Sequence, residues 1–195
     1  MGFSDARLNS GSFVARRDLF AIGGAFRILD SEGNLLFYSR QKIFKLREDI
    51  RIFGDQEMNQ ELLNIQARQI LDFAASYDVV DSSTQQKVGA LRRRGWGSIT
   101  RDHWEILDNN DNPIASIKED TTLLALIRRF LINIIPQSYS IESSAGESLG
   151  TLKQRFNPFL HIFDVDFSMS QDSTLDRRLG TAAVILLLAI EGKQR

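Results

Sequence analysis

The most cationic stretch of the chain is Arg92-Arg93-Arg94, with Trp96 and Arg101 close behind it. A guanidinium presents a planar fork of N–H donors that matches a phosphate, and an indole settles where water meets lipid. On an extended strand Arg92 and Arg94 point to one face and Arg93 to the other. This composition suits an anionic head group, with Arg92, Arg94, Trp96 and Arg101 as the candidate ligand-binding residues. A structural reading accounts for the same residues: strand arginines beside a glycine turn, paired with nearby acids. Arg128-Arg129 and Arg16-Arg17 repeat the pattern more weakly. Arg177-Arg178 stand in the first turn of a helix, where the dipole disfavours cations. They call for pairing with Asp172 or Asp176, or for an anionic partner.

Other chemistry finds little support. His103 and His161 are far apart and each stands in a strand-like run. His103 sits beside Asp102 and Trp104, but no spaced partner equips it for acid–base work. No Gly-x-Ser-x-Gly elbow occurs. Gly95-Trp96-Gly97 lacks the length, the lysine and the helix of a phosphate loop. Cysteine is absent, which removes disulfides, thiolate catalysis and Cys-ligated metals. The segment Asp164 to Leu175 places carboxylates at the first, third and ninth positions of a calcium-loop frame. It lacks the glycine at the sixth and the glutamate at the twelfth. Asp164 and Asp166 read as outward-facing strand residues, and cation binding along Asp164–Asp176 is left open. We expect no catalytic residue, no metal and no cofactor. A net charge of −1 provides no global field for nucleic acid.

These residues must be carried by strands. Four clusters of turn formers separate short runs of β-formers: Asp30–Asn34, Asp81–Gln86, Asp108–Asn112 and Ser143–Glu147. They delimit Ala25–Leu29 and Leu35–Arg40, Phe73–Val80 and Lys87–Arg93, Arg101–Leu107 and Pro113–Lys118, and Ser138–Glu142 and Ser148–Gln154. Ser12–Arg16, Glu48–Phe53, Leu62–Ala67 and Phe159–Phe167 complete about twelve strands. Short helical segments are expected near Ile43–Leu46 and over Thr121–Leu131.

The last element differs in kind. From Leu179 to Ile190 nothing is charged, and the apolar side chains go all the way round a helix running from Leu175 to Glu191. Such a helix must be enclosed on every side. Its apolar run of about 12 residues is well short of the ~20 of a bilayer span, so protein is the expected surround. Ser173 followed by Asp176 has capping-box spacing, and Gly192 suits the end. About 17 residues at ~1.5 Å each match the depth of a barrel of medium strands. A barrel of eleven or twelve strands has room for a central helix. The expected fold is therefore mainly β: a closed, about twelve-stranded barrel enclosing a hydrophobic C-terminal helix. It forms one domain over residues 12–195 behind a flexible segment 1–11.

Particular words along the chain carry a resemblance. They are Phe20 to Ile28, Asp30-Ser31-Glu32-Gly33-Asn34, Ala90-Leu91-Arg92-Arg93, Trp104-Glu105-Ile106-Leu107-Asp108, Phe156-Asn157-Pro158-Phe159 and Asp176-Arg177-Arg178-Leu179-Gly180. In this order they resemble the tubby C-terminal-like superfamily, and within it the LURP-one-related and phospholipid-scramblase-like group. The resemblance covers roughly Phe13 to Gly192. It implies a twelve-stranded barrel around a hydrophobic helix. For tubby proteins it implies phosphoinositide binding, and for scramblases calcium-linked lipid movement. The scramblase likeness stops at the incomplete acidic segment and at the missing cysteine-rich stretch. The expected function is a non-enzymatic binding module, with an anionic phospholipid head group as partner. A scaffold or regulatory domain that binds a protein is the alternative, and an enzyme with an unrecognised site the third reading. No secretory segment or membrane span is expected, which makes the protein cytoplasmic, and peripheral wherever it meets a membrane.

Overall fold

Each turn cluster reverses the chain in the computed structural model, which describes residues 5–18, 24–40, 49–68, 76–94, 103–119, 136–157, 160–168 and 175–191. The turns share one construction, in which a short polar side chain at the first position accepts backbone N–H groups. Asp30 Oδ1 accepts from Glu32 and Asn34 at 2.9 and 2.8 Å, and Asp108 Oδ1 from Asn110 and Asn112 at 2.8 Å each. Ser143 Oγ does the same for Ala145 and Glu147. Gly33 and Gly146 take φ of 89° and 84°, the left-handed region where glycine carries no Cβ penalty.

Between the turns run β1 (Ser12–Asp18), β2 (Ala25–Leu29), β3 (Leu35–Arg40), β4 (Asp49–Phe53), β5 (Glu61–Ala67) and β6 (Ser76–Asp81). β7 (Gln86–Arg94), β8 (His103–Leu107), β9 (Pro113–Glu119), β10 (Ser138–Ser143), β11 (Ser148–Arg155) and β12 (Leu160–Asp166) follow. Each strand pairs antiparallel with its sequence neighbours, and β1 closes the ring on β12 from Ser12↔Asp166 to Asp18↔Leu160. The expected twelve-stranded closed barrel is the fold. Closure removes every open sheet edge.

The helix α1 (Arg177–Glu191) fills the barrel. Leu179 and the unbroken run Ala182–Ala189 are buried on all sides. Among the described residues no helix is long and apolar enough to cross a membrane. Close approach of helix to wall depends on glycine. A Cβ on Gly89 of β7 would lie 2.3 Å from the Leu107 carbonyl oxygen and 2.8 Å from a Leu179 methyl. The ring of Phe167 is wedged between Gly150 of β11 and Gly180 of α1, 2.7 and 2.9 Å from where their Cβ atoms would stand. Gly89→Ala is therefore expected to cost about 2 kcal/mol, in the range of overpacked cores. Denaturant titration measures it, and an unchanged midpoint would mean that β7 yields freely.

The start of α1 corrects the expected capping box. Asp176 is not the third helical residue behind a Ser173 cap; it stands just before the helix and is itself the cap. Its Oδ1 accepts the Arg178 N–H at 2.9 Å, and its carbonyl oxygen accepts from Leu179 and Gly180. An aspartate caps a helix as well as serine does, so spacing alone does not separate the two positions. Ser173, Gly192 and the helices expected near 43–46 and over 121–131 lie outside the described residues. Ahead of β1, Ala6–Asn9 form a 3₁₀ turn. Leu8 is buried, and Arg7 donates to the Gly54 and Leu36 carbonyl oxygens. These partners are distant in sequence, so local composition does not announce them.

Candidate functional site

The interior-facing series of β7 runs through Gly89 and Leu91, which meet the helix and core. Alternation continues that series to Arg93 and turns Arg92 and Arg94 to the outer wall. The division of the three arginines between two faces is thus the expected one. β8 pairs antiparallel with Arg92↔Glu105, Arg93↔Trp104 and Arg94↔His103. Directly paired residues share a face, so Glu105 rises between the two outer arginines.

Glu105 joins them. Arg92 donates from Nε and Nη2 to Oε2 at 2.9 and 2.6 Å. Arg94 Nε lies 2.6 Å from Oε1. The Glu105 side chain is only 12% exposed, against 34% for Arg92 and 61% for Arg94. Burial alone would raise the Glu105 pKa; the hydrogen bonds and charges of Arg92 and Arg94 outweigh it and hold the carboxyl below its usual range. A carboxylate so held is a poor proton acceptor at neutral pH. Glu105 occupies two of the five N–H donors of Arg92 and one of the five of Arg94. Both arginine side chains reach the surface, Arg94 the further of the two. Trp96 and Arg101, expected to complete this patch, lie outside the described residues.

The flanking wall is charge-matched. On one side Arg68 and Lys87 meet Asp78 and Asp111, and on the other Lys118 meets Glu142 at 2.6 Å. Of the other basic pairs, Arg128-Arg129 lie outside the described residues, while Arg17, Arg177 and Arg178 are bound into the fold. Arg17 donates from Nη1 to the Leu188 carbonyl oxygen at 3.1 Å, placing a cation at the negative end of α1. Burial pushes its pKa down from the ordinary value. Its guanidinium also stands over the Phe26 ring. Arg177 donates to the Phe167 carbonyl oxygen at 2.8 Å. Arg178 takes Asp176, one of the two acids expected, at 2.6 Å and also Asp81 at 2.7 Å.

Asp164 and Asp166 stand on the outer face of β12, as the strand pattern predicts. Asp164 pairs with Arg155 at 2.5 Å, while Asp166 accepts the Ser168 N–H at 2.8 Å. Both line a surface groove of about 440 Å³ with Lys153 and Arg155. Among the described residues no group of three or more His, Asp or Glu side chains is placed to hold a metal ion. His161 is buried in β12 and His103 stands in β8.

A twelve-stranded antiparallel barrel closed around one buried C-terminal helix defines a tubby-like protein. Residues 35–187 match the model of the LURP-one-related family, and the chain belongs to that family of the tubby-like superfamily. No curated protein sequence matches the chain.

Proposed function

We propose that the chain is a non-enzymatic binding module whose β7–β8 wall takes up phosphoinositide or other anionic lipid head groups. Arg92 and Arg94 supply the guanidinium forks, and Trp96 and Arg101 extend the contact. The supporting observation is the pair of arginines on one outer face, held together by Glu105 and reaching the surface, Arg94 with 61% of its side chain exposed. Held in place by one carboxylate, the forks lose less freedom on binding than two solitary side chains. In this reading the protein is cytoplasmic and peripheral to the membrane.

Sedimentation with phosphoinositide-bearing vesicles at low salt tests the proposal. Arg92→Ala combined with Arg94→Ala is expected to weaken binding about tenfold or more, since each basic residue near an anionic surface contributes ~1 kcal/mol. Arg93→Ala, on the other series of the strand, is expected to do much less. Added salt should release the wild-type protein, because exposed charges are screened within ~8–10 Å. No co-sedimentation, or equal losses for the two faces, would leave a protein-binding scaffold as the better reading.

A further inference from the structure

We infer that Glu105 is a specificity-determining residue that restricts the Arg92–Arg94 site to doubly charged phosphate monoesters, an inference that rests on the anion-binding reading above. The two guanidiniums and one carboxylate together carry a net charge of +1, since two cations are offset by one anion. Glu105 is an anion already in place. Its backbone is fixed by the β7–β8 pairing, and it accepts three hydrogen bonds without any cost of association.

An incoming ligand must therefore offer more than this carboxylate does. A phosphodiester offers one charge and two free oxygens, equal to Glu105 in kind, and must also give up its translational freedom. A phosphate monoester carries about −1.5 to −2 at neutral pH and three acceptor oxygens. It can engage donors of both arginines beyond those that Glu105 takes up. Glu105 thus repels every anion, and only the second charge and third oxygen of a monoester offset that repulsion. The shared chemistry is the phosphate monoester, presented by a lipid head group or by a soluble inositol phosphate.

The test compares phosphatidylcholine vesicles containing either a phosphatidylinositol phosphate or phosphatidylserine, matched for total charge. Wild type, Glu105→Gln, Glu105→Asp and the double Arg92→Ala/Arg94→Ala variant are sedimented with each. Wild type is expected to favour the monoester vesicles about tenfold or more. Glu105→Gln should gain about tenfold on phosphatidylserine, bringing the ratio toward one. Glu105→Asp, which keeps the charge but withdraws it from the forks, should fall between, and it carries the comparison should the Gln variant fail to fold. Competition by a soluble inositol phosphate identifies the free monoester as a ligand; its failure to compete assigns the site to the lipid-borne group. Binding that depends on Arg92 and Arg94 but keeps its ratio in both Glu105 variants overturns the filter and leaves the binding module standing. No binding by any form overturns both.

Discussion

Replacing Leu186 by Asp is expected to leave no soluble, folded protein. Leu186 is 1% exposed at the centre of a helix whose flanking residues Ala182 to Ala189 are all buried. No side of α1 faces water at this level, so the carboxylate cannot turn outward. Moving a carboxylate into such a site costs several kcal/mol even after relaxation, against a total stability of about 5–15 kcal/mol for a domain. The inner faces of the strands pack upon this helix. Loss of the helix therefore exposes the inner faces of the barrel rather than only one element. Leu186→Ala gives the graded comparison, with an expected loss of about 2–5 kcal/mol from the transfer and cavity contributions. Soluble expression, circular dichroism and thermal melting measure both. An Asp variant that stays soluble with the native melting curve would show that α1 is not enclosed.

The residues that made this fold legible are those whose information is local. Asp30, Asp108 and Ser143 bond to N–H groups within four positions, so the strands around them were readable from turn chemistry. β2 and β3 have the bounds expected, Ala25–Leu29 and Leu35–Arg40. The all-round apolarity of Leu179–Ile190 identified the enclosed helix for the same reason. What was not legible depends on register across the barrel. Alternation alone placed Arg92 and Arg94 on one face, but nothing local set Glu105 opposite Arg92; only the pairing of β7 with β8 does so. Arg178 meets Asp81 across 97 positions, and Arg7 meets Gly54 across 47. Asp81 reads in sequence as one more polar turn residue, and the Gly54 backbone carbonyl leaves no mark in the sequence at all. Asp176 marks a helix start in the sequence but not its place there, because an aspartate fits both the cap and the third residue.

The Asp81–Arg178 contact carries the second large effect. Asp81 ends β6, and its side chain is 4% exposed. Its Oδ1 accepts from the Ser83 N–H, the Thr84 N–H and the Ser83 hydroxyl at 2.9, 3.2 and 2.6 Å, and its Oδ2 accepts from Arg178 Nη1 at 2.7 Å. One carboxylate thus shapes the β6–β7 turn and fastens the first turn of α1 to the wall. Arg178 also rests on Asp176 at 2.6 Å, so removing Asp81 strips the guanidinium of one partner only. Asp81→Asn is therefore expected to cost about 3 kcal/mol at neutral pH, the lower end for breaking a buried pair. The pH dependence identifies the cause. Burial alone would raise the Asp81 pKa, but the bonds from Ser83 and Arg178 prevail and hold it below the ordinary carboxylate value. The unfolded chain then binds this proton at a higher pH than the folded one. The contribution is complete above the ordinary value of about 4 and is lost as pH falls from there through the folded value. The stability gap between wild type and Asp81→Asn should accordingly stay constant from about pH 5 to 8 and narrow below about pH 4. Other depressed carboxyls, such as Asp5 and Asp108, titrate alike in both proteins and cancel in the difference. Urea unfolding of the pair at pH 7 and pH 3 makes the measurement. A gap as wide at pH 3 as at pH 7, or no gap at pH 7, would show that the ionised carboxylate of Asp81 does not hold the helix to the barrel wall.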